Sequence, residues 1–85
     1  MQNNITNNVI ATDGTTDNYG VLVEIDSNST LTSGNTITTT GSAGSNFGVY
    51  LVTRAISNNV SNNVINTSGT GSDYGINLDT SVNDT

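Results

Sequence analysis

The sequence predicts an all-β chain wound as a parallel β-solenoid, about three coils of about 27 residues with about three short strands in each. Three observations lead there. An aromatic-glycine-aliphatic phrase recurs as "DNYGVLV" at 17–23, "SNFGVYL" at 45–51 and "SDYGINL" at 72–78. A second phrase precedes each one, as "NVIAT", "NTITT" and "NVINT". Within these runs the apolar residues follow period two, the spacing of a strand, over stretches too short for an amphipathic helix.

The repeat is the primary signal. Tyr19, Phe47 and Tyr74, each followed by glycine (Gly20, Gly48, Gly75), are spaced by 28 and 27 residues. Asn8, Asn35 and Asn63 are spaced by 27 and 28, and Ile10, Ile37 and Ile65 follow them, then Thr12, Thr39 and Thr67. A weaker anchor comes first in each unit: Ile5-Thr6, Leu31-Thr32 and Val60-Ser61. In that alignment the register slips by one residue at Ser33-Gly34, where a glycine suits a bulge or turn.

The first strand of each unit is expected at the weak anchor and the second at the "NVIAT"-type phrase. The third is expected at the aromatic phrase, with "DGTTD", "GSAGS" and "SGTGS" as turns before it. In the third strand, alternation assigns Tyr74, Ile76 and Leu78 to one face, with Tyr19, Val21, Val23 and Phe47, Val49, Leu51 as equivalents. That face is expected to be the core. The other face varies freely (Leu22, Tyr50, Asn77; Glu24, Val52, Asp79), as a solvated face does. The single segment 1–85 divides into coils of about 3–30, 31–58 and 59–85. A unit of this length is too short for a four-stranded propeller blade. It suits one solenoid turn, each strand pairing in parallel with its copy in the next coil.

The pattern "SNNVSNNVINTSGTGSDYGINL" resembles the repeats of right-handed parallel β-helix proteins, which include bacterial surface and autotransporter passengers and carbohydrate-active β-helix proteins. The likeness covers nearly the whole chain. It implies a right-handed β-helix, and it is poor for function, because such repeats are mostly scaffold.

Composition narrows the function classes. The chain has 85 residues, one basic side chain (Arg54), seven carboxylates and a net charge of −6. Nucleic acid and anionic membrane surfaces need basic patches and are not expected as partners. There is no cysteine for a disulfide framework. No run approaches the ~20 apolar residues of a membrane span, so no membrane insertion is expected. The N-terminal "MQNNITNN" lacks the features of a secretory signal. That leaves either an intracellular protein or a piece of a longer precursor. Such polarity also occurs in disordered chains. Against disorder stand the low charged fraction of 9% and the preference for eight Val and seven Ile over four Leu.

Stacked coils would set equivalent residues about 4.8 Å apart. Three ladders are then expected: aromatic (Tyr19, Phe47, Tyr74), aliphatic (Ile10, Ile37, Ile65) and amide (Asn8, Asn35, Asn63), the last with side chains bonded to one another. Asp26 and Arg54 both stand seven residues beyond their aromatic and are expected as a cross-coil pair, weak if exposed. A coil perimeter of roughly 90 Å against a stack of about 14 Å gives a flat slab. Its end faces would carry unpaired strand edges, and about six inward apolar residues per coil must offset the backbone entropy. No cap is recognisable at "MQNNIT" or "SVNDT", which predicts a piece of a longer β-helix or a unit that stacks end to end.

No chemistry stands out. The β-helix lyases and hydrolases use carboxylate clusters with basic residues, and this chain has neither His nor Lys. Glu24 and Asp79 share a column with Val52 between them, a separation open to paired-carboxylate chemistry, but solvated corner charges are the simpler reading, and no enzyme is expected. "TDGTTDNYG" (Asp13, Asp17) is not repeated as a calcium motif would be. Thr36, Thr38 and Thr40 form an outward row that Val9, Ala11, Val64 and Asn66 do not continue, so a flat threonine array of the ice-binding kind is not expected. Sequons at Asn4, Asn28, Asn59, Asn66 and Asn83 are no more than this composition gives by chance.

The expected function is therefore structural: a β-solenoid segment of a surface, adhesive or fibre-forming protein, self-associating through its ends or continuing into further coils. The expected setting is extracellular or at the cell surface. The alternative is a scaffold segment of a carbohydrate-binding or polysaccharide-processing β-helix protein. No cofactor, metal or catalytic residue is assigned. A row of outward aromatics would favour the carbohydrate reading, and only Tyr50 is expected to point outward.

Overall fold

In the computed structural model, residues 3–24, 27 and 29–79 are described. They form nine strands, three to a coil. The first coil holds β1 (Asn3–Thr6), β2 (Val9–Gly14) and β3 (Asn18–Glu24). The second holds β4 (Thr30–Ser33), β5 (Thr36–Gly41) and β6 (Ser45–Val52). The third holds β7 (Asn59–Ser61), β8 (Val64–Ser68) and β9 (Ser72–Asp79). Each strand pairs only with its copies, giving three parallel sheets in the orders β1-β4-β7, β2-β5-β8 and β3-β6-β9. This is a three-coil parallel β-solenoid. Its extents of 35 × 27 × 16 Å are those of the slab that the perimeter and strand spacing require.

The pairing register corrects the alignment of the first strand. Ile5 pairs with Thr32, and Thr32 with Val60, so Thr32 and not Leu31 is the equivalent of the inward aliphatics. Thr32 is buried and Leu31 only half-buried. With that pairing the slip at Ser33-Gly34 disappears. A threonine hid the position because the sequence reading sought an aliphatic there. The extra residue of the second coil lies instead between β5 and β6: Gly14 pairs with Gly41 at a step of 27, and Asn18 with Asn46 at a step of 28. Gly44, in that longer turn, takes φ 74°. The corner between the first and second strands is left-handed in every coil, at Asn7 (φ 58°), Gly34 (φ 71°) and Asn62 (φ 56°). Glycine and asparagine are the residues that enter this region most readily.

The core runs through the middle of the slab. Ile37, Val49, Leu51 and Ala55 are fully buried, Val21 and Val23 nearly so, with Ile5, Ile10, Val60 and Ile65 against them. The middle coil buries five apolar side chains, Ile37, Phe47, Val49, Leu51 and Ala55, against about six expected, and the polar Thr32, Asn35, Thr39 and Asn46 are buried alongside them. Ile10, Ile37 and Ile65 do form one column.

The aromatic column stands apart from that aliphatic cluster: Phe47 is buried as expected, at 6% exposure, while Tyr19 is only partly buried and Tyr74 is half exposed. Strict alternation fails at the glycine. A Cβ on Gly48 would collide with Ile65 Cγ2 and come within 2.6 Å of the Gly75 carbonyl oxygen; one on Gly20 would collide with Ile37 Cγ2. These glycines thus face the interior, and so do Val21 and Val49 immediately after them. Two consecutive inward positions require a bend, which a residue without a side chain permits where backbones approach closely. The bend leaves Phe47 on the outer side together with Tyr50, whose ring packs edge-on against Phe47 at 4.9 Å and against Tyr19 at 5.2 Å.

Candidate functional site

Two features distinguish themselves from plain scaffold: the open face of the third coil and the outer aromatic column that runs into it.

The amide ladder sets the polarity of the stack. The backbone N–H and the Nδ2–H of Asn8 both donate to Asn35 Oδ1, at 2.9 and 3.1 Å. Asn35 repeats this toward Asn63 Oδ1 at 2.9 and 3.0 Å. The second Nδ2 hydrogen returns to the coil before, from Asn35 to Ile5 O and from Asn63 to Thr32 O. Every step therefore runs from donor in one coil to acceptor in the next. Among the described residues the ladder ends with Asn63, which has donors to give and no fourth asparagine to receive them.

A second polar ladder was missed by the sequence reading. Asn18 Nδ2 donates to Asn46 Oδ1 at 2.8 Å, and Asn46 Nδ2 to Asp73 Oδ1 at 2.7 Å. The signal was present, since each aromatic is preceded by Asn, Asn and Asp at the same step, but only the asparagines at Asn8, Asn35 and Asn63 were expected to form a ladder. A third contact of this kind closes the corner before β4, where Asn58 Oδ1 accepts the Thr30 N–H at 2.7 Å.

The apolar columns also stop at the third coil. In the middle coil Val49 and Leu51 are 0% exposed and Phe47 is 6% exposed. Their third-coil equivalents Ile76, Leu78 and Tyr74 are 48%, 49% and 50% exposed. The three rings stack face to face, Tyr19 on Phe47 at 5.4 Å and Phe47 on Tyr74 at 5.3 Å. One face of Phe47 is covered by each neighbour.

Charge gathers beside this column. Glu24 pairs with Val52 and Val52 with Asp79 in register. Tyr50 Oη donates to Asp79 Oδ2 at 3.0 Å. That bond to a carboxylate raises the Tyr50 pKa above its ordinary 10.0, with burial adding in the same direction. Asp17 accepts the Ser45 N–H at 3.1 Å and so serves the turn of the next coil. Asp13 pairs in register with Thr40, and Thr40 with Ser68. Arg54 stands in the turn after β6, at φ 56°; Asp26, its expected partner, lies outside the described residues. Among the described residues no group of three or more His, Cys, Asp or Glu could hold a metal ion. Thr36, Thr38 and Thr40 are exposed on β5, flanked by Val9 and Val64 at 86% and 68% exposure. A cavity of about 380 Å³ is lined by Ser29, Thr30, Leu31, Ser57 and Asn59, none of them titratable.

Set against known proteins, the chain matches no protein-family model, no curated protein and no solved structure.

Proposed function

We propose that this chain is a structural β-solenoid unit of the kind used in surface, adhesive or fibre-forming proteins, and that its working part is the open face of the third coil, which takes up another coil. The observation that carries this reading is the step in burial along three columns: Val49 to Ile76, Leu51 to Leu78 and Phe47 to Tyr74 each go from buried to about half exposed. Half-exposed aliphatics in register with free strand edges are what a solenoid presents where another coil belongs, and proteins that do not use such an edge blunt it. Burial of this apolar surface would supply the driving force. The chain is expected to sediment as concentration-dependent assemblies that elongate along one axis in electron micrographs. A monomer that persists unchanged at high concentration would defeat the proposal.

The outer aromatic column supports a second reading, that of a carbohydrate-binding β-helix segment. Tyr19, Tyr50 and Tyr74 keep exposed surface beside the buried Phe47, and outward rings in a row are what a sugar site would need. The stacking of the rings on one another weighs against it, since a sugar needs a free ring face. Titration with neutral and acidic oligosaccharides, followed by tyrosine fluorescence, separates the readings: saturable quenching abolished by Tyr74→Ala would favour sugar.

A further inference from the structure

We propose that the coil received by the open face is the first coil of a second copy of this chain, docked head to tail, and that the contact of Glu24 with Asp79 across that junction makes assembly sensitive to carboxylate charge. This rests on the stacking reading above and goes further by naming the partner and its control.

The partner follows from the polarity of the ladders. The third-coil face offers the Asn63 donors, and the first-coil face offers Asn8, whose side-chain oxygen accepts no hydrogen bond among the described residues. Advancing the internal register by one more step sets Asn63 on Asn8, Ile65 on Ile10 and Tyr74 on Tyr19, and brings Ile76 and Leu78 over Val21 and Val23, which are already only 5% and 6% exposed, so the surface gained there is that of Ile76 and Leu78. Each of these pairs repeats a chemistry already present between coils of one chain. Like ends would set donor against donor. The contact is therefore heterologous, and it propagates.

The control follows from the same step. Inside the chain no two of the described carboxylates are in register between adjacent coils. Val52 separates Glu24 from Asp79, Asp13 is followed by Thr40 and Ser68, and Asp73 by nothing acidic before it in Asn46 and Asn18. Head-to-tail docking removes this spacing at one place and sets Asp79 of one copy directly opposite Glu24 of the next. Directly opposed like charges destabilise a strand pair. Tyr50 donates its hydroxyl to Asp79, and Arg54, the chain's one basic residue, follows Val52 by two positions in the sequence. Asp73 meets Asn18 and Asp13 meets Ser68 elsewhere on the junction, neither a like-charge pair.

Sedimentation equilibrium at pH 7 tests this with Glu24→Gln, Asp79→Asn, the double variant and Asp13→Asn, which removes the same charge from the junction at a place with no acidic neighbour. Glu24→Gln and Asp79→Asn are each expected to tighten association about threefold to fivefold, the double variant little more than either single one, and Asp13→Asn distinctly less. Equal effects of all three single variants, or additive effects of Glu24→Gln and Asp79→Asn, would show a response to net charge alone and overturn the inference while leaving stacking intact. No association of the double variant at any concentration would overturn the stacking reading and this inference together.

Discussion

Asn8 and Asn35 are joined twice, the backbone N–H and the side-chain N–H of the first both ending on Oδ1 of the second, 2.9 and 3.1 Å away. Asn35 is 1% exposed, and its own two amide hydrogens go to Ile5 O and to Asn63 Oδ1. One side chain thus satisfies groups in all three coils. Asn35→Ala takes the partners from these part-buried groups, at an expected cost of about 1–3 kcal/mol in urea unfolding. Asn35→Asp should cost no less, because a carboxylate keeps the acceptor and loses both donors. A cost below that of an ordinary surface substitution would remove the amide ladder from the stabilising interactions.

Two equivalent glycines should respond in opposite ways to alanine. At Gly48 the added Cβ runs into Ile65 and the Gly75 backbone, so Gly48→Ala is expected to destabilise by about 1–3 kcal/mol through overpacking. At Gly75 the same atom has only Ile65 Cγ2 nearby, at 3.8 Å, and the backbone is not left-handed. Gly75→Ala is therefore expected to be neutral or to stabilise by about 0.4–1 kcal/mol. Once another coil sits on the third, Gly75 becomes crowded as Gly48 is, and the same substitution should weaken assembly.

The contrast between these glycines explains what could be read beforehand. The period, the number of strands and the partners of Asn8, Ile10 and Tyr19 were legible because each rests on three-fold agreement within one sequence. The facing of the aromatics was not. Period two is a rule for an unbent strand, and "YG" and "FG" mark the place where this strand bends. Thr32 was hidden for a related reason: a solenoid interior a few side chains wide accepts a hydroxyl at a position where a pattern search looks for an aliphatic. The open face has no residue pattern of its own in the sequence, so it became visible through the exposure of Ile76 and Leu78.

Tyr50 carries a pH-dependent bond whose direction is fixed by its cause. The hydroxyl donates to Asp79, and the neighbouring carboxylate disfavours the phenolate, so the folded pKa lies above the unfolded value. The stabilisation is then fully present below the unfolded value of about 10 and is lost as pH rises through the folded one. Ultraviolet titration of a variant that keeps Tyr50 as its one tyrosine should show it ionising above 10.0, and Asp79→Asn should bring it back toward that value. An unmoved Tyr50 titration in Asp79→Asn would mean that the bond does not persist in solution.

Leu51 and Leu78 occupy one column, yet truncating them should have different consequences. Leu51 is 0% exposed inside the middle coil, and Leu51→Ala should cost about 2–5 kcal/mol at any protein concentration. Leu78 is 49% exposed, so in the dilute monomer Leu78→Ala removes a side chain that is only half withdrawn from water. Its expected cost there is about 1 kcal/mol. If a second coil covers Leu78, the cost should rise toward that of Leu51 as concentration increases, because the lost contact is then a buried one. Thermal unfolding of both variants across a hundredfold range of concentration makes the comparison. A Leu78→Ala cost that stays low throughout that range would leave the third-coil face as ordinary solvent-exposed surface.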